Sequence, residues 1–398
     1  MARGYVQHVS GNKWRLFYDV GMKLDPKTGK MKRQRKTKTV QAKGKREAEK
    51  MLADFIAKIN SDNYFEPEKM KFVDFVRDEW LPKHAEKHLA KTTLDTHIRL
   101  LELRILPAFQ QFRLDQIKPI HIIDFLHNLS EEGMNARGGK LSPASIFYHY
   151  RILNNIFNFA VECQLLKKSP LEGVKKPKVT EKEIVVYTEE EAYHLLECLE
   201  NEESLSWKVL IKLAITTGLR RSELLGLEWE HVNLDEGTIA VRQGLTYTKG
   251  DGYIIGPLKT RGSNRTVSIP ESLIKDLRKL KLRKQEERMA AGELWYQLNG
   301  KEHFFLFSDY RGKPLNPTSV KNWWHRFIKR HGLKYINFHA LRHTSATLLI
   351  NQGVHAKVIA ERLGHADIKT TMNTYGHVLQ KADREAANKF DELLKKKG

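Results

Sequence analysis

The chain of 398 residues has only two cysteines, Cys163 and Cys198. Two thiols build neither a disulfide framework nor a cysteine zinc site. No apolar run approaches the roughly 20 residues of a membrane span. The first stretch, MARGYVQHVSGNKWRLFYDV, lacks a signal-peptide apolar core. There is no glycine-rich phosphate loop, no His-Glu-x-x-His helix and no carboxylate cluster of the two-metal nuclease kind. We therefore expect a soluble cytoplasmic protein of a reducing compartment that needs no metal or cofactor. Acidic residues are also scarce, 48 against 69 Lys and Arg, for a formal net charge of +21. Such an excess implies a polyanionic partner, nucleic acid by default, with a merely solubilising surface as the alternative. The charge is uneven: residues 1–60 hold 16 Lys and Arg against 5 Asp and Glu.

What is present divides into segments. In NKWRLFYDVG, alternation puts Trp14, Leu16 and Tyr18 on one side of a strand. A Pro-x-x-Gly turn then leads to a basic strand carrying Lys32, Arg33, Arg35, Lys36 and Lys38, a candidate for a DNA groove. Ala48, Leu52, Phe55 and Ile59 recur at helical spacing. Residues 1–66 thus read as a small β-sheet with one packed helix. Residues 67–170 read as a helical bundle. Its TTLDTHIRLLELRILPAF helix should stop near Pro107. Its clearest helix has Ser142 as cap, Pro143 in the first turn, and Ile146, Tyr150, Leu153, Phe157 and Ala160 on one face. Residues 171–185, rich in Lys and Pro, read as a linker. Residues 186–398 are mixed and mainly helical, with short strands at GTIAVRQG and RTVSIP. The expected class is a multidomain α+β protein, its last part carrying a small antiparallel sheet.

Three segments near the C-terminal half carry chemistry. In TTGLRRSELLGLEW, Glu223 follows Arg220 by one helical turn and could orient it, although such pairs are also common on surfaces. PLKTRGSNRTVSIP reads as a hairpin with TRGSN as its turn and Lys259 at the tip of its first strand. In HALRHTSATLL, His339 and His343 share a helix face, which raises a metal site. A zinc-protease helix needs Glu where Ala340 stands, and Arg342 would set a cation beside the ion. The stretch therefore points to phosphate, with His343 as a structural histidine.

Together TGLRRSEL, HALRHTSAT, LGHADIKTT and TYGHV, in that order, resemble the signature boxes of the tyrosine recombinase family, phage-integrase type. The boxes run from Thr216 to Val378, and the three-part layout is similar to that of lambda-type integrases. The resemblance implies an arm-type DNA-binding domain over 1–66, a core-binding domain over 67–170 and a catalytic domain over 186–398 with a tail helix. It implies Arg220 and Arg342 as the catalytic arginines, with His339 opening the second box. His365 would be the later histidine and Tyr375 the nucleophile. Lys259 matches the hairpin lysine, with Lys249 and Arg261 as neighbouring rivals.

The activity so implied is site-specific DNA integration and excision through a 3′-phosphotyrosyl link, without metal or ATP. The implied partners are duplex DNA with core-type and arm-type sites, three further copies of the chain in a tetramer, an excision factor and a host DNA-bending protein. The place of action would be the bacterial nucleoid. A type IB topoisomerase-like enzyme and a non-catalytic DNA-binding protein remain the alternatives.

Overall fold

Period-two burial builds the N-terminal sheet. Strands β1 (Gly4–Ser10), β2 (Lys13–Leu24) and β3 (Met31–Gln41) pair antiparallel in the order β1-β2-β3. Leu16 and Tyr18 are buried on one face, where the helix Lys45–Asn60 brings Ala48, Leu52 and Ile59. Gly4 lies on that face because a Cβ there would come within 2.9 Å of Ile56. The computed structural model describes residues 4–24, 30–60, 70–135, 138–180, 184–258, 261–365 and 394. The expected Pro-x-x-Gly turn at 26–29 lies outside them, as does the expected tail helix except for Leu394. The chain divides into two compact units, residues 1–89 with 97–179, and residues 180–398 with 90–96.

The helices of the first unit enclose an aromatic core in which the Phe72 ring lies 5.4 Å from that of Phe109 and 5.6 Å from that of Phe157. The helix Pro143–Glu162 starts as its sequence predicts, with the Ser145 N–H donating to Ser142 Oγ at 3.2 Å. The TTLDTHIRLLELRILPAF helix stops near Pro107, as its sequence predicts. The run ends at Phe109, preceded by a wide i→i+5 stretch at Leu101–Ile105. A wide turn relieves the clash between a proline ring and the carbonyl four residues back, so the proline is absorbed. Pro82 sits inside a similar stretch, Phe75–Ala85. The start of the expected linker is ordered: Pro170–Gly173 forms a turn capped by Ser169, with Leu171 and Val174 buried.

In the second unit, among the described residues, six longer helices surround three small antiparallel β-structures, one of them only the short pair Gln297–Leu298 with Lys301–Glu302. These helices are Glu189–Glu200, Leu205–Thr217, Glu271–Ala291, Pro317–Arg330, Ala340–Asn351 and Ala356–Leu363. One sheet has the order β4-β5-β8, from Val232–Asn233, Thr238–Val241 and Arg265–Ser268. Another pairs β6 (Gln243–Thr248) with β7 (Gly252–Pro257). This corrects the expected hairpin over 257–270. Strand β7 pairs back onto β6, while β8 crosses to β5 with Val267 opposite Ile239. The reason is burial: Val267 and Ile239 both face the core, and only pairing with β5 puts them together. Among the described residues no helix is long and apolar enough to cross a membrane.

Candidate active site

The helix Leu205–Thr217 ends at Gly218, which adopts φ +64°, a conformation that glycine reaches without strain. Two residues on, Arg220 has an extended backbone and caps the short helix Arg221–Leu225. Its backbone N–H donates to Glu223 Oε2 at 2.9 Å and its Nη1 to Glu223 Oε1 at 2.6 Å. The i,i+3 pair expected from the sequence therefore forms, with a carboxylate only 2% exposed. A second cation shares it. Arg265 on β8 donates through Nη2 to Glu223 Oε2 at 2.8 Å. Burial alone pushes the Glu223 carboxyl up, but the donors on Arg265 and Arg220 outweigh it and hold the pKa below its ordinary value.

Arg342 is buried, 3% exposed. Its Nη1 donates to the Gly218 carbonyl and its Nη2 to the Leu363 carbonyl, both at 2.7 Å. These carbonyls lie at the C-terminal ends of two helices, where acceptors lack intrahelical partners and the dipole favours a cation. Arg362 does the same work nearby, donating to the carbonyls of Thr216 at 2.8 Å and Ser268 at 3.0 Å. Buried Arg342 and half-buried Arg362 thus fix the register between Leu205–Thr217, Ala340–Asn351, Ala356–Leu363 and β8. Gly364 closes the last of these helices at φ +68°, and a Cβ there would fall 2.8 Å from Arg265 Nη1.

His339 precedes the helix Ala340–Asn351, and its ring meets that of His343 edge-on at 5.1 Å. Protein crowding lowers the His339 pKa first, and the cations Arg342, Arg220 and Arg221 lower it further. His343 is lowered to about 4 by burial, His339 and Arg342. His365, just past Gly364, is lowered to about 4 by burial and by Arg342, Arg220, His343 and Arg265. At neutral pH these imidazoles are neutral and the arginines carry the positive charge. Arg220, His339, Arg342 and His365 therefore share one electrostatic neighbourhood. Lys259 and Tyr375 lie outside the described residues. Lys249, the rival of Lys259, is exposed in the turn between β6 and β7. Among the described residues, no group of three or more His, Cys, Asp or Glu is arranged to hold a metal ion.

Arg220 and His339 open onto a cleft of about 1020 Å³. Ser222, Tyr247, Asn322, His325 and Arg326 also line it. Its polar wall is the exposed face of Pro317–Arg330, whose other face buries Val320, Phe327 and Ile328. The sequence reading missed Arg265, Arg362 and this wall. A signal for Arg265 existed: in RTVSIP it alternates with the core residues Val267 and Ile269, so it must point inward. The five basic residues of β3 divide between two faces. Lys36 and Lys38 stand opposite Tyr18 and Leu16, on the face toward the helix, and Lys32 shares their parity. Arg33 and Arg35 lie on the open face. There Arg33 pairs with Asp19, and Arg35 sits 5.9 Å from the Tyr5 ring and 6.0 Å from that of Phe17.

An arginine-rich site of this kind, built where helix ends meet, suits a protein that handles phosphodiesters. Comparison with known proteins agrees. Residues 186–382 match the phage integrase family, and residues 72–130 match the N-terminal SAM-like domain of phage integrases. The tyrosine recombinase XerC-like protein of Caldanaerobacter subterraneus subsp. tengcongensis is 31% identical over 296 residues, covering 71% of this chain and 73% of that protein. Among solved structures, the Tn1549 transposon integrase in complex with circular intermediate DNA aligns with a TM-score of 0.62 at 22% identity, over 77% of this chain and 95% of that one. A lambda integrase tetramer bound to a Holliday junction aligns with a TM-score of 0.56 at 18% identity, over 90% and 92% of the two chains. The chain belongs to the phage integrase family and is a tyrosine recombinase, an enzyme of site-specific recombination in mobile elements.

Proposed function

We propose that residues 186–398 cleave and rejoin duplex DNA at a core-type site, with Arg220, His339, Arg342 and His365 gathered on the reacting phosphate. The observation that carries this reading is the clustering of Arg220 and buried Arg342 around neutral His339 and His365. Guanidiniums stay charged and offer paired N–H donors to non-bridging oxygens, and a site held this rigidly reorganises little as charge develops. A phosphate brought into it cancels part of the cationic field that lowers both histidines. Their pKa values then rise, which suits donation to phosphate oxygens or acceptance of a phenolic proton.

In this reading the Tyr375 oxygen attacks phosphorus and the bond to the 5′-oxygen breaks. Lys259 gives that oxygen its proton. The products are a 3′-phosphotyrosyl link and a free 5′-hydroxyl, and attack by another 5′-hydroxyl reverses the step without ATP. Integration and excision follow when four copies exchange strands between two sites. Residues 1–66 would bind arm-type DNA through the open face of the sheet, since the other face is covered by Lys45–Asn60. Residues 67–170 would hold the core site, joined to the catalytic part through 171–185. An excision factor and a host DNA-bending protein complete the assembly on the nucleoid.

The test is a nicked core-site duplex that traps the covalent adduct. The wild type should attach to the 3′ side through Tyr375, and Tyr375→Phe should bind duplex with little loss yet attach to none. An adduct that persists in Tyr375→Phe refutes the assignment of the nucleophile.

A further inference from the structure

Arg265 has no role in the reaction as outlined above, yet it is one of the most constrained charges in the protein. Its side chain is 7% exposed, and it reaches three separate segments. Nη2 donates to Glu223 Oε2 at 2.8 Å, Nη1 to the Ser263 carbonyl at 2.8 Å, and Nε to the Arg362 carbonyl at 2.7 Å. Ser263 follows the segment that contains Lys259. Arg362 lies in the helix Ala356–Leu363, three residues before His365. Glu223 is the shared element: one carboxylate oxygen takes Arg220 Nη1 and the other takes Arg265.

A buried carboxylate with one cationic partner holds that partner with its whole charge. With two partners, each is held less tightly. We propose that Arg265 is a positioning residue. By sharing Glu223 it keeps the Arg220 guanidinium available to the reacting phosphate, and by holding the Ser263 and Arg362 carbonyls it ties β8 to the helix Ala356–Leu363 beside that guanidinium. This rests on the reading of Arg220 as a phosphate ligand.

Removing Arg265 leaves Glu223 to Arg220 alone, so the cleavage step suffers while duplex binding, spread over many contacts, does not. The experiment is single-turnover cleavage of the nicked duplex by the full chain, with duplex Kd and melting temperature measured in parallel. Arg265→Met should slow cleavage by about tenfold or more with Kd changed by less than about twofold. Glu223→Gln combined with Arg265→Met removes the carboxylate charge that would capture Arg220 and should recover most of the lost rate. Arg265→Lys keeps a charge on Glu223 and should cleave faster than Arg265→Gln, a comparison that stands even if the methionine variant fails to fold.

A double variant as slow as Arg265→Met, or equal rates for the lysine and glutamine variants, overturns the proposal. So does a rate loss that simply follows melting temperature across the set. Arg220→Ala is the separate control: if it cleaves at the wild-type rate, the phosphate-ligand reading fails and takes this proposal with it.

Discussion

Gly218→Ala should damage the second compact unit by an amount set by two features of the fold. The first is the backbone. At φ +64° an alanine pays the left-handed strain that glycine avoids, about 1–2 kcal/mol. The second is space. A Cβ at Gly218 would sit 2.4 Å from Leu363 Cδ2, and Leu363 is fully buried in a cluster with Ala346, Ile350 and Ile359. Opening that gap by roughly 1 Å is overpacking, which costs about 1–3 kcal/mol. The sum, about 2–5 kcal/mol, is a large share of the stability of an ordinary domain. For a unit of this size it corresponds to a melting temperature lowered by about 4–20 °C.

The two parts separate experimentally. In a Leu363→Ala background the clash disappears and the same substitution should cost only about 1–2 kcal/mol, so the cycle should show a coupling of about 1–3 kcal/mol. Cleavage should fall as well, because the Gly218 carbonyl is one of the two acceptors that seat Arg342. The assay is thermal unfolding of the full chain alongside adduct formation on the nicked duplex. A Gly218→Ala protein that melts within about 1 °C of wild type would refute the reasoning, as would a cycle with no coupling.

Two other outcomes follow from the same geometry. His343 and His365 titrate near 4 in the folded chain against an ordinary 6.5. The unfolded chain therefore takes up protons first as pH falls, and the stability contributed by these groups is complete above about 6.5 and lost between there and about 4. Denaturant unfolding at pH 7.5 and pH 5 should show that loss, and His343→Gln should reduce it; an unchanged pH dependence would contradict the burial argument. On the N-terminal sheet, Arg35→Ala should lower the salt slope of duplex DNA binding by about one, whereas a slope unchanged from wild type would take Arg35 out of the phosphate contacts.

Much of this site was legible because it is local. Arg220 and Glu223 are one helical turn apart, and they form the pair that the spacing announces. His339 and His343 share a helix face and their rings touch. Ser142 caps its helix through the Ser145 N–H, and Leu16 and Tyr18 face the N-terminal core as their alternation requires. Local rules failed where distant burial decided. RTVSIP pairs with β5 rather than with the strand just before it.

The sequence by itself determined the order and spacing of the boxes, the excess of positive charge and the faces of the main helices, since each depends on residues a few positions apart. Only the tertiary structure decided that Glu223 serves two arginines, that Arg342 is seated on the carbonyls of Gly218 and Leu363, and that Arg265 joins segments nearly a hundred residues apart. Those contacts depend on where helices end in space. A buried guanidinium goes to whichever orphan carbonyls and carboxylate the packed core leaves within reach, and no spacing along the chain encodes that distance.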